Sequence, residues 1–350
     1  MTNYRYQLPQ LEPQTSPEIF ITDGGLETDL IFLQGFHLPE FAAFVLLKNP
    51  IGTAALRRYF EKYVAIADQY EVGLVLESPT WRASRDWGER LGYNAAALDE
   101  VNRQAIALLQ DIRDSEQPSE QPSLPMVISG CIGPRGDGYS PDSQMDAQSA
   151  QHYHQPQVNT FEAAGADMVS AITMTYAEEA IGIAWAAQEA GIPVVISFTV
   201  ETDGRLPSGQ SLKGAIEQVD SATNSAPAYY MINCAHPTHF QSVISAGEAW
   251  VDRIYGLRAN ASRKSHAELD EAETLDDGNP QELGTQYVAL KAQLHNLTVL
   301  GGCCGTDARH IEAICEACFP TIPEGRTVGV PCFPNGCVKE VSLFDSFLYL

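Results

Sequence analysis

The sequence predicts an α/β protein built on one (β/α)8 barrel of the TIM type, with an N-terminal arm and a C-terminal tail. Eight apolar, strand-like runs alternate along the chain with eight stretches of helical periodicity. Several of the helical stretches end in a glycine that is followed at once by the next apolar run, which is typical of a helix-to-strand connection. Polar residues and cysteines stand at the ends of the runs, where a barrel of parallel strands carries its active site.

The strands and helices follow one another in a regular order. A polar, proline-rich arm is expected over 1–18 and the barrel over 19–319. Apolar runs predict strands at 19–22, 72–76, 126–129, 167–172, 194–199, 229–232, 253–256 and 297–300. Helical periodicity predicts helices at 50–70, 95–114, 146–164, 177–190, 212–221, 238–246, 280–295 and 307–319. The tail, 320–350, ends in an apolar segment that is expected to pack on its own barrel or on a neighbouring subunit, so a homo-oligomer stays open.

The composition is that of an acidic globular protein with ample material for a core. The chain has 350 residues, 44% of them hydrophobic, and a formal net charge of −24. This charge argues against nucleic acid and anionic membranes as partners. No apolar run approaches the ~20 residues of a membrane span, and the N-terminus lacks a signal-peptide pattern. A soluble, reduced, cytoplasmic protein is therefore expected, in which clustered cysteines serve metal binding or catalysis.

The most informative stretch is Gly-Gly-Cys-Cys-Gly-Thr at 301–306. Adjacent cysteines are strained as disulfide partners, whereas in a glycine-rich turn both thiolates can reach one soft metal ion. Cys234, which follows the sixth apolar run, is the best candidate for a third ligand. Cys234, Cys303 and Cys304 are therefore predicted to bind Zn²⁺ and to leave its fourth position open, which is the layout of a catalytic zinc site.

Further candidates follow from the barrel geometry, because all strand ends meet on one face. The residues placed there are Asp23, Glu77, Cys131, Thr173, Thr199, Asn233, Arg258 and Asn260. The long polar connection 258–284 is expected to be a lid over bound substrate, with Asn260 in direct contact. His236 is a weaker alternative metal ligand. A second, structural zinc site is also conceivable, although plain burial explains its cysteines more simply: Cys315, Cys318, Cys332 and Cys337.

The sequence resembles the homocysteine S-methyltransferase family over about residues 19–319. The motifs that carry the resemblance are Thr-Asp-Gly-Gly-Leu-Glu-Thr-Asp-Leu at 22–30, Ser-Gly-Cys-Ile-Gly-Pro at 129–134, Ser-Phe-Thr at 197–199 with Asp-Gly at 203–204, Ile-Asn-Cys at 232–234, and the stretch 301–306. The resemblance implies a zinc-dependent barrel enzyme that methylates a thiol, homocysteine giving methionine, and hence a role in methionine biosynthesis. It also implies that the substrate thiol becomes the fourth zinc ligand. The residues expected around the substrate are Asp23, Gly24, Gly25, Glu77, Thr173, Asn233 and Asn260.

One position departs from the family pattern. Many members end strand four in a Cys-Glu-Thr-like triplet whose carboxylate holds the substrate amine, whereas this chain has Ala-Ile-Thr at 171–173. Ile172 cannot accept a hydrogen bond or balance an ammonium group. Glu77 could supply the missing carboxylate and Arg82 could bind a carboxylate. The acceptor is therefore homocysteine if another carboxylate replaces the missing one, and otherwise a different thiol or selenol.

The methyl donor is expected to be a cation of the S-methylmethionine or S-adenosylmethionine type. Asp23, Glu77 and Glu201 would form an acidic mouth that attracts such a donor, whereas folates are anionic and bulky. Two other functions stay open at this point. One is a dithiol oxidoreductase that uses Cys303 and Cys304, and the other is a non-enzymatic zinc-binding barrel.

Overall fold

A computed structural model describes residues 19–116, 124–139, 144–244 and 248–319. Eight parallel strands form a closed barrel in sequence order, and β1 pairs with both β2 and β8, so that Phe20 lies opposite Gly73 and Val299. The strands are β1 (Phe20–Ile21), β2 (Gly73–Glu77), β3 (Met126–Ile132), β4 (Met168–Met174), β5 (Val194–Phe198), β6 (Tyr230–Asn233), β7 (Ile254–Ala259) and β8 (Val299–Gly302). Each overlaps one predicted apolar run, and the (β/α)8 barrel is confirmed.

Helices surround the barrel within the described ranges. They are α1 (Leu26–Thr28), α2 (Pro50–Tyr70), α3 (Arg85–Arg90), α4 (Ala95–Glu116), α5 (Ala147–Ala164), α6 (Ala177–Ala190), α7 (Leu212–Thr223), α8 (Pro237–Phe240), α9 (His266–Asp270), α10 (Pro280–Lys291) and α11 (Ala308–Cys318). A π-helical turn, Asp29–Leu33, follows α1, and short 3-10 turns cover Pro39–Phe41, Ala43–Lys48 and Val251–Arg253.

The ends of the long helices explain why the predicted boundaries are close to the observed ones. The Asn49 side chain caps α2 by accepting from the Gly52 backbone N–H at 2.9 Å, and Asp146 caps α5 in the same way. Gly165 and Gly191 end α5 and α6 in the left-handed conformation, with φ of 83° and 71°. Glycine adopts this conformation without steric cost, so each helix turns directly into the next strand.

Four connections differ from their prediction. The helix predicted over 238–246 is only one turn long, α8, because serine and β-branched residues follow Phe240 and favour helix weakly. The short helices α1, α3 and α9 are absent from the prediction. All three lie in connections on the carboxyl side of strands, and each is too short to show helical periodicity.

The core has two layers. Inward-facing strand residues fill the barrel, among them Phe20, Val127, Met168 and Met231, while a larger apolar layer lies between the strands and the helices. In the described ranges, no helix is long and apolar enough to cross a membrane. The expected arm, the expected tail and two of the four cysteines of the second zinc site, Cys332 and Cys337, lie outside the described residues.

Candidate active site

A cavity of about 410 Å³ opens at the carboxyl ends of the strands. This volume suits a small-molecule site. The predicted site residues that line it are Asp23, Gly24, Gly25, Glu77, Thr173, Cys234, Cys303 and Cys304. Asn233 and Asn260, both almost fully buried, are not part of the lining. Most of the predicted site residues therefore meet around one cavity, although Asn233 and Asn260, two of the expected substrate contacts, lie outside its lining.

Three cysteine thiols meet on one side of this cavity. Cys234 follows β6, and Cys303 and Cys304 follow β8. Their sulfur atoms all lie within 4.8 Å of one another, and within the described residues they are the only group of potential metal ligands that converges in this way. The sulfurs of Cys234 and Cys303 are in disulfide contact, and Cys234 Sγ lies 4.0 Å from Cys304 Sγ. The two cysteines in contact, Cys234 and Cys303, thus follow two different strands, whereas the oxidoreductase hypothesis requires a dithiol formed by the adjacent Cys303 and Cys304.

The backbone around Cys234 is held in an uncommon conformation. Cys234 has φ of 52°, in the left-handed region that residues with a side chain rarely adopt. Its N–H donates to the Arg258 carbonyl oxygen at 3.2 Å, and its own carbonyl oxygen accepts from His266 Nε2 at 2.7 Å. These two bonds tie the Cys234 turn to β7 and to the first residue of α9, and so fix where its sulfur lies.

Asn233 and Thr173 form a hydrogen-bonded pair that lies next to the thiols of Cys234 and Cys303. Asn233 Oδ1 accepts from the Thr173 N–H at 2.9 Å, and its Nδ2 donates to Thr173 Oγ1 at 2.8 Å. Thr173 Oγ1 in turn lies 3.8 Å from Cys234 Sγ, and Asn233 Nδ2 lies 3.9 Å from Cys303 Sγ. Asn233 therefore helps to position the thiols of Cys234 and Cys303 and lies outside the cavity lining.

The two glycines of the first motif allow the β1 loop to approach the cysteine turn. A Cβ atom at Gly25 would lie 2.6 Å from the Cys303 carbonyl oxygen, and one at Gly24 would lie 2.8 Å from the Thr306 carbonyl oxygen. A Cβ atom does not approach a non-bonded oxygen this closely, so any side chain here would displace the turn that carries Cys303. This explains the Gly-Gly pair by packing against the cysteine turn.

A buried cation lies between two carboxyl groups on the other side of the cavity. Arg258 donates through its Nη2 to Asp23 Oδ1 at 2.5 Å, and its Nη1 lies 3.8 Å from Glu77 Oε1. Asp23 also accepts from the Tyr59 hydroxyl at 3.0 Å. Neither carboxyl oxygen of Glu77 has a hydrogen bond of good geometry within the described residues, although the Ser129 and Ser170 hydroxyls, which bond each other, lie close enough to favour its charged form. Burial raises the pKa of Glu77 to about 7, although the Arg258 charge opposes the shift.

Comparison with known proteins identifies the family. A sequence profile described as homocysteine S-methyltransferase matches residues 20–318. The chain belongs to the homocysteine S-methyltransferase family. It is accordingly a methyltransferase with the family's barrel domain.

Two solved structures share the fold at low identity. The oxidized form of the homocysteine methyltransferase MmuM from Escherichia coli is 18% identical, with a TM-score of 0.67, 86% of this chain covered and 96% of MmuM. The metallated form of MmuM is 17% identical, with a TM-score of 0.65 and the same coverage of both chains. At this identity the likeness supports the fold, and the family assignment stands on the sequence profile.

The charged side is where this member of the homocysteine S-methyltransferase family departs from the family pattern. Ile172, the residue at which the sequence departs from the expected Cys-Glu-Thr-like triplet, lines the cavity. Glu77 lines the same cavity and is 4% exposed. Asp23, which was expected to contact substrate, is already bonded to Arg258 and Tyr59. Of the two carboxyl groups beside Arg258, Asp23 is therefore the one already hydrogen-bonded, and Glu77 is the one that can still accept a hydrogen bond from a ligand.

Several residues that line the cavity are not among the substrate contacts predicted from the sequence. Glu27 lies within the 22–30 motif, and burial raises its pKa to about 7. Trp81 and Tyr139 also line the cavity, and the Tyr139 hydroxyl lies 3.6 Å from Cys304 Sγ. The sequence carried a signal for Glu27, because this residue belongs to the 22–30 motif on which the family resemblance rests. Nothing in the local sequence distinguishes Tyr139 from an ordinary loop aromatic.

The long connection after β7 covers part of the cavity. Its helix α9 begins with a capping box, in which Ser265 accepts from the Glu268 N–H and Glu268 accepts from the Ser265 N–H. Leu269, Asp270 and Leu275 from this connection line the cavity. Glu201 does not: its Oε1 lies 3.0 Å from His266 Nδ1, outside the cavity lining. The acidic lining expected at the mouth is present but consists partly of other residues.

Proposed function

We propose that this chain transfers a methyl group from a cationic sulfonium donor to the thiol of an amino acid, with homocysteine as the acceptor and methionine as the product. The convergence of Cys234, Cys303 and Cys304 in the cavity carries the proposal. Zinc thiolate ligands at ~2.3 Å lie about 3.8 Å from one another in a tetrahedral site. The 4.0 Å separation of the Cys234 and Cys304 sulfurs fits that arrangement, whereas Cys234 and Cys303, which are in disulfide contact here, would have to be reduced to separate thiolates before they bind zinc.

The donor set is also chemically suited to zinc. Three cysteine sulfurs are soft ligands, and three protein ligands leave one position for a substrate. A zinc ion bound there would lower the pKa of an incoming thiol and so supply a nucleophilic thiolate at neutral pH. His236 lies in the wall of a second cavity of about 210 Å³ and is not part of the cysteine group, which disfavours it as a ligand.

The proposed reaction needs little general acid or base catalysis from the side chains of this protein. The acceptor sulfur attacks the methyl carbon, the bond from that carbon to the donor sulfonium breaks, and its electron pair stays on the departing thioether. The thiol proton is released to solvent. The protein must align the two substrates and exclude water. The α9 connection supports the second task, because Leu269 and Leu275 line the cavity from above the strand ends.

The charge of the lining supports a cationic donor. Six carboxyl groups and two guanidinium groups line the cavity, the latter from Arg82 and Arg258. An acidic lining concentrates a sulfonium cation, and this positive charge disappears as the methyl group leaves. Glu77 is proposed to hold the acceptor's ammonium group, because it is the buried carboxyl group with no hydrogen bond of good geometry among the described residues.

A matrix of acceptors and donors tests this proposal. Zinc-loaded protein is incubated with homocysteine, cysteine, mercaptoethanol or selenohomocysteine against S-methylmethionine, S-adenosylmethionine or methyltetrahydrofolate, and methylated products are quantified by mass spectrometry. The strongest signal is expected for homocysteine with a sulfonium donor. If only methyltetrahydrofolate serves as methyl donor, the assignment of a sulfonium donor is wrong. If only a thiol without an ammonium group is methylated, the assignment of an amino-acid acceptor is wrong.

A further inference from the structure

Arg82 forms part of the cavity wall as a buried cation. It lies in the connection between β2 and α3 and is 6% exposed. The carbon of its guanidinium group lies 4.1 Å from the centre of the Trp81 ring and 3.7 Å from the centre of the Trp87 ring. Two indole rings thus clamp one guanidinium group, which fixes its plane and favours its charged form.

The protein contacts of Arg82 leave part of its donor capacity unused. Its Nη1 donates to the Gly136 carbonyl oxygen at 3.0 Å, whereas its Nε has no partner in the described part of the chain. Asp137 Oδ2 lies 3.7 Å from Nη2, beyond hydrogen-bond distance, and the Asp137 side chain is 51% exposed and screened by water. A guanidinium group carries five N–H donors, so a second anionic partner can be accommodated. Burial lowers the pKa of Arg82 to about 10, which agrees with incomplete compensation.

The position of the clamp is set by the cavity itself. The Trp81 indole N–H donates to the Ile172 carbonyl oxygen at 3.1 Å, which ties the clamp to the end of β4. A Cβ atom at Gly138 would lie 3.2 Å from Trp81 Cζ2, so the 133–138 loop packs closely against the ring. The guanidinium group is therefore held by a rigid wall, as a binding residue needs to be.

We propose that Arg82 is the carboxylate-binding residue of this cavity, and that it recognises the α-carboxylate of an amino-acid substrate. The inference rests on the proposed function and specifies one of its subsites. Glu77 and Arg82 belong to the same strand end and loop, so one short segment offers an anion for an ammonium group and a cation for a carboxylate. In the proposed reaction the carboxylate can come from the thiol acceptor or from a sulfonium donor of the amino-acid type.

Paired substrates with and without the carboxylate test the subsite on zinc-loaded protein. One pair is homocysteine and 3-aminopropanethiol with a fixed donor. The other is S-methylmethionine and (3-aminopropyl)dimethylsulfonium with a fixed acceptor. In Arg82→Gln, the KM of the carboxylated member of one pair should rise at least about tenfold, as expected for a lost charge-assisted hydrogen bond. The KM of its decarboxylated partner should stay within about twofold, and the affected pair identifies the source of the carboxylate.

Arg90→Gln is the matched control. Arg90 also stacks on Trp87, at 4.5 Å, but its side chain is 60% exposed, it pairs with Glu40 at 3.7 Å, and it is not part of the cavity lining. Its kinetic constants should match those of the wild type. An equal loss on both members of both pairs in Arg82→Gln would mean that Arg82 only supports the 133–138 loop, and would overturn the proposal.

Two further measurements keep the outcome decisive. If Arg82→Gln does not fold by circular dichroism, Arg82→Lys keeps the charge but loses the planar fork, and should show the same selective rise in KM. If the wild type methylates no thiol, the proposed function fails, and calorimetric binding of L-methionine against 3-(methylthio)propylamine still tests the subsite. A preference of the wild type for L-methionine that Arg82→Gln abolishes would support it, and the absence of any preference would overturn it.

Discussion

The two sides of the cavity differ in how closely they follow the family pattern. The cysteine side comprises Cys234, Cys303 and Cys304 at the ends of β6 and β8. The charged side comprises Asp23, Glu77 and Arg258 at the ends of β1, β2 and β7, with Ile172 beside them. The first side matches the family motifs throughout, whereas the second keeps Asp23 of the 22–30 motif but departs from the family pattern at Ile172. Three thiol ligands on one ion have few substitutes, whereas a carboxylate can reach a substrate ammonium from several neighbouring strands, so recognition can be rebuilt while the chemistry is kept.

The largest expected effect is on the cysteine side. Cys304→Ala should remove bound zinc and lower kcat/KM more than about 100-fold, because changes to the outer partners of a zinc ligand already cost 10–100-fold. Zinc content is measured by plasma mass spectrometry on the same sample as activity. Cys318→Ala, a half-buried cysteine on α11 outside the cavity, is the control and should retain both. Full zinc content and activity in Cys304→Ala would show that the thiol cluster is not the metal site.

The sequence predicted both the position and the grouping of the three cysteines, whereas for Asp23, Glu77 and Arg258 it predicted only their position at the strand ends and not how they pair. Cys303 and Cys304 are adjacent in a glycine-rich turn, and Cys234 ends an apolar run, so local patterns place all three on one face. The Asp23–Arg258 pair joins residues 235 positions apart, and no local pattern shows that they meet. Likewise, the barrel could be predicted from alternating runs, but the short length of α8 was missed, because the apolar spacing over 238–246 predicts a longer helix although the residues after Phe240 favour helix only weakly.

The next largest effect tests the charged side. Glu77→Gln should raise the KM for homocysteine about 10- to 100-fold and lower kcat far less, because the lost contact to the ammonium group exists in both ground and transition states. Steady-state kinetics with a fixed sulfonium donor measure the split. Since the pKa of Glu77 is raised to about 7 by burial, the wild-type KM should rise as the pH falls below 7, and this dependence should vanish in the variant.

A second substitution sharpens the same comparison. If Glu77 replaces the carboxylate that the family pattern places at the end of β4, then Ile172→Glu in the Glu77→Gln background should recover part of the lost homocysteine affinity. Ile172 lines the cavity and is 6% exposed, so a carboxylate there reaches the same space. Unchanged KM in Glu77→Gln, with no methylation of homocysteine by any cationic donor, would assign the acceptor to another thiol or selenol.

A smaller effect is expected for His266, which connects the α9 region to the cysteine side. Its Nε2 donates to the Cys234 carbonyl oxygen, and its ring stacks on Tyr139 at 4.1 Å. His266→Ala should weaken zinc retention about tenfold in competition with a chelator, as for other outer partners of a metal ligand. His239→Ala is the matched control, because His239 bonds the Arg263 carbonyl oxygen of the same connection but does not touch Cys234. Equal zinc loss in both variants would mean that His266 only stabilises the connection after β7 and does not act through Cys234.

The smallest effect concerns stability on the charged side. A pKa of about 7 for Glu77, against an ordinary value of 4.5, means that between these pH values the folded protein binds more protons than the unfolded chain. This contribution to stability is present below pH 4.5 and is lost as the pH rises through 7, by on the order of 2–3 kcal/mol. Glu77→Gln removes the titration, so its melting temperature relative to the wild type should be a few degrees higher at pH 8 than at pH 5. The exposed Glu89→Gln should show no such difference. The opposite result would be a melting temperature of Glu77→Gln, relative to the wild type, that is lower at pH 8 than at pH 5. It would mean that Arg258 stabilises the Glu77 carboxylate more than burial disfavours it. Glu77 would then be a counter-ion of Arg258 with little capacity left for a substrate ammonium group.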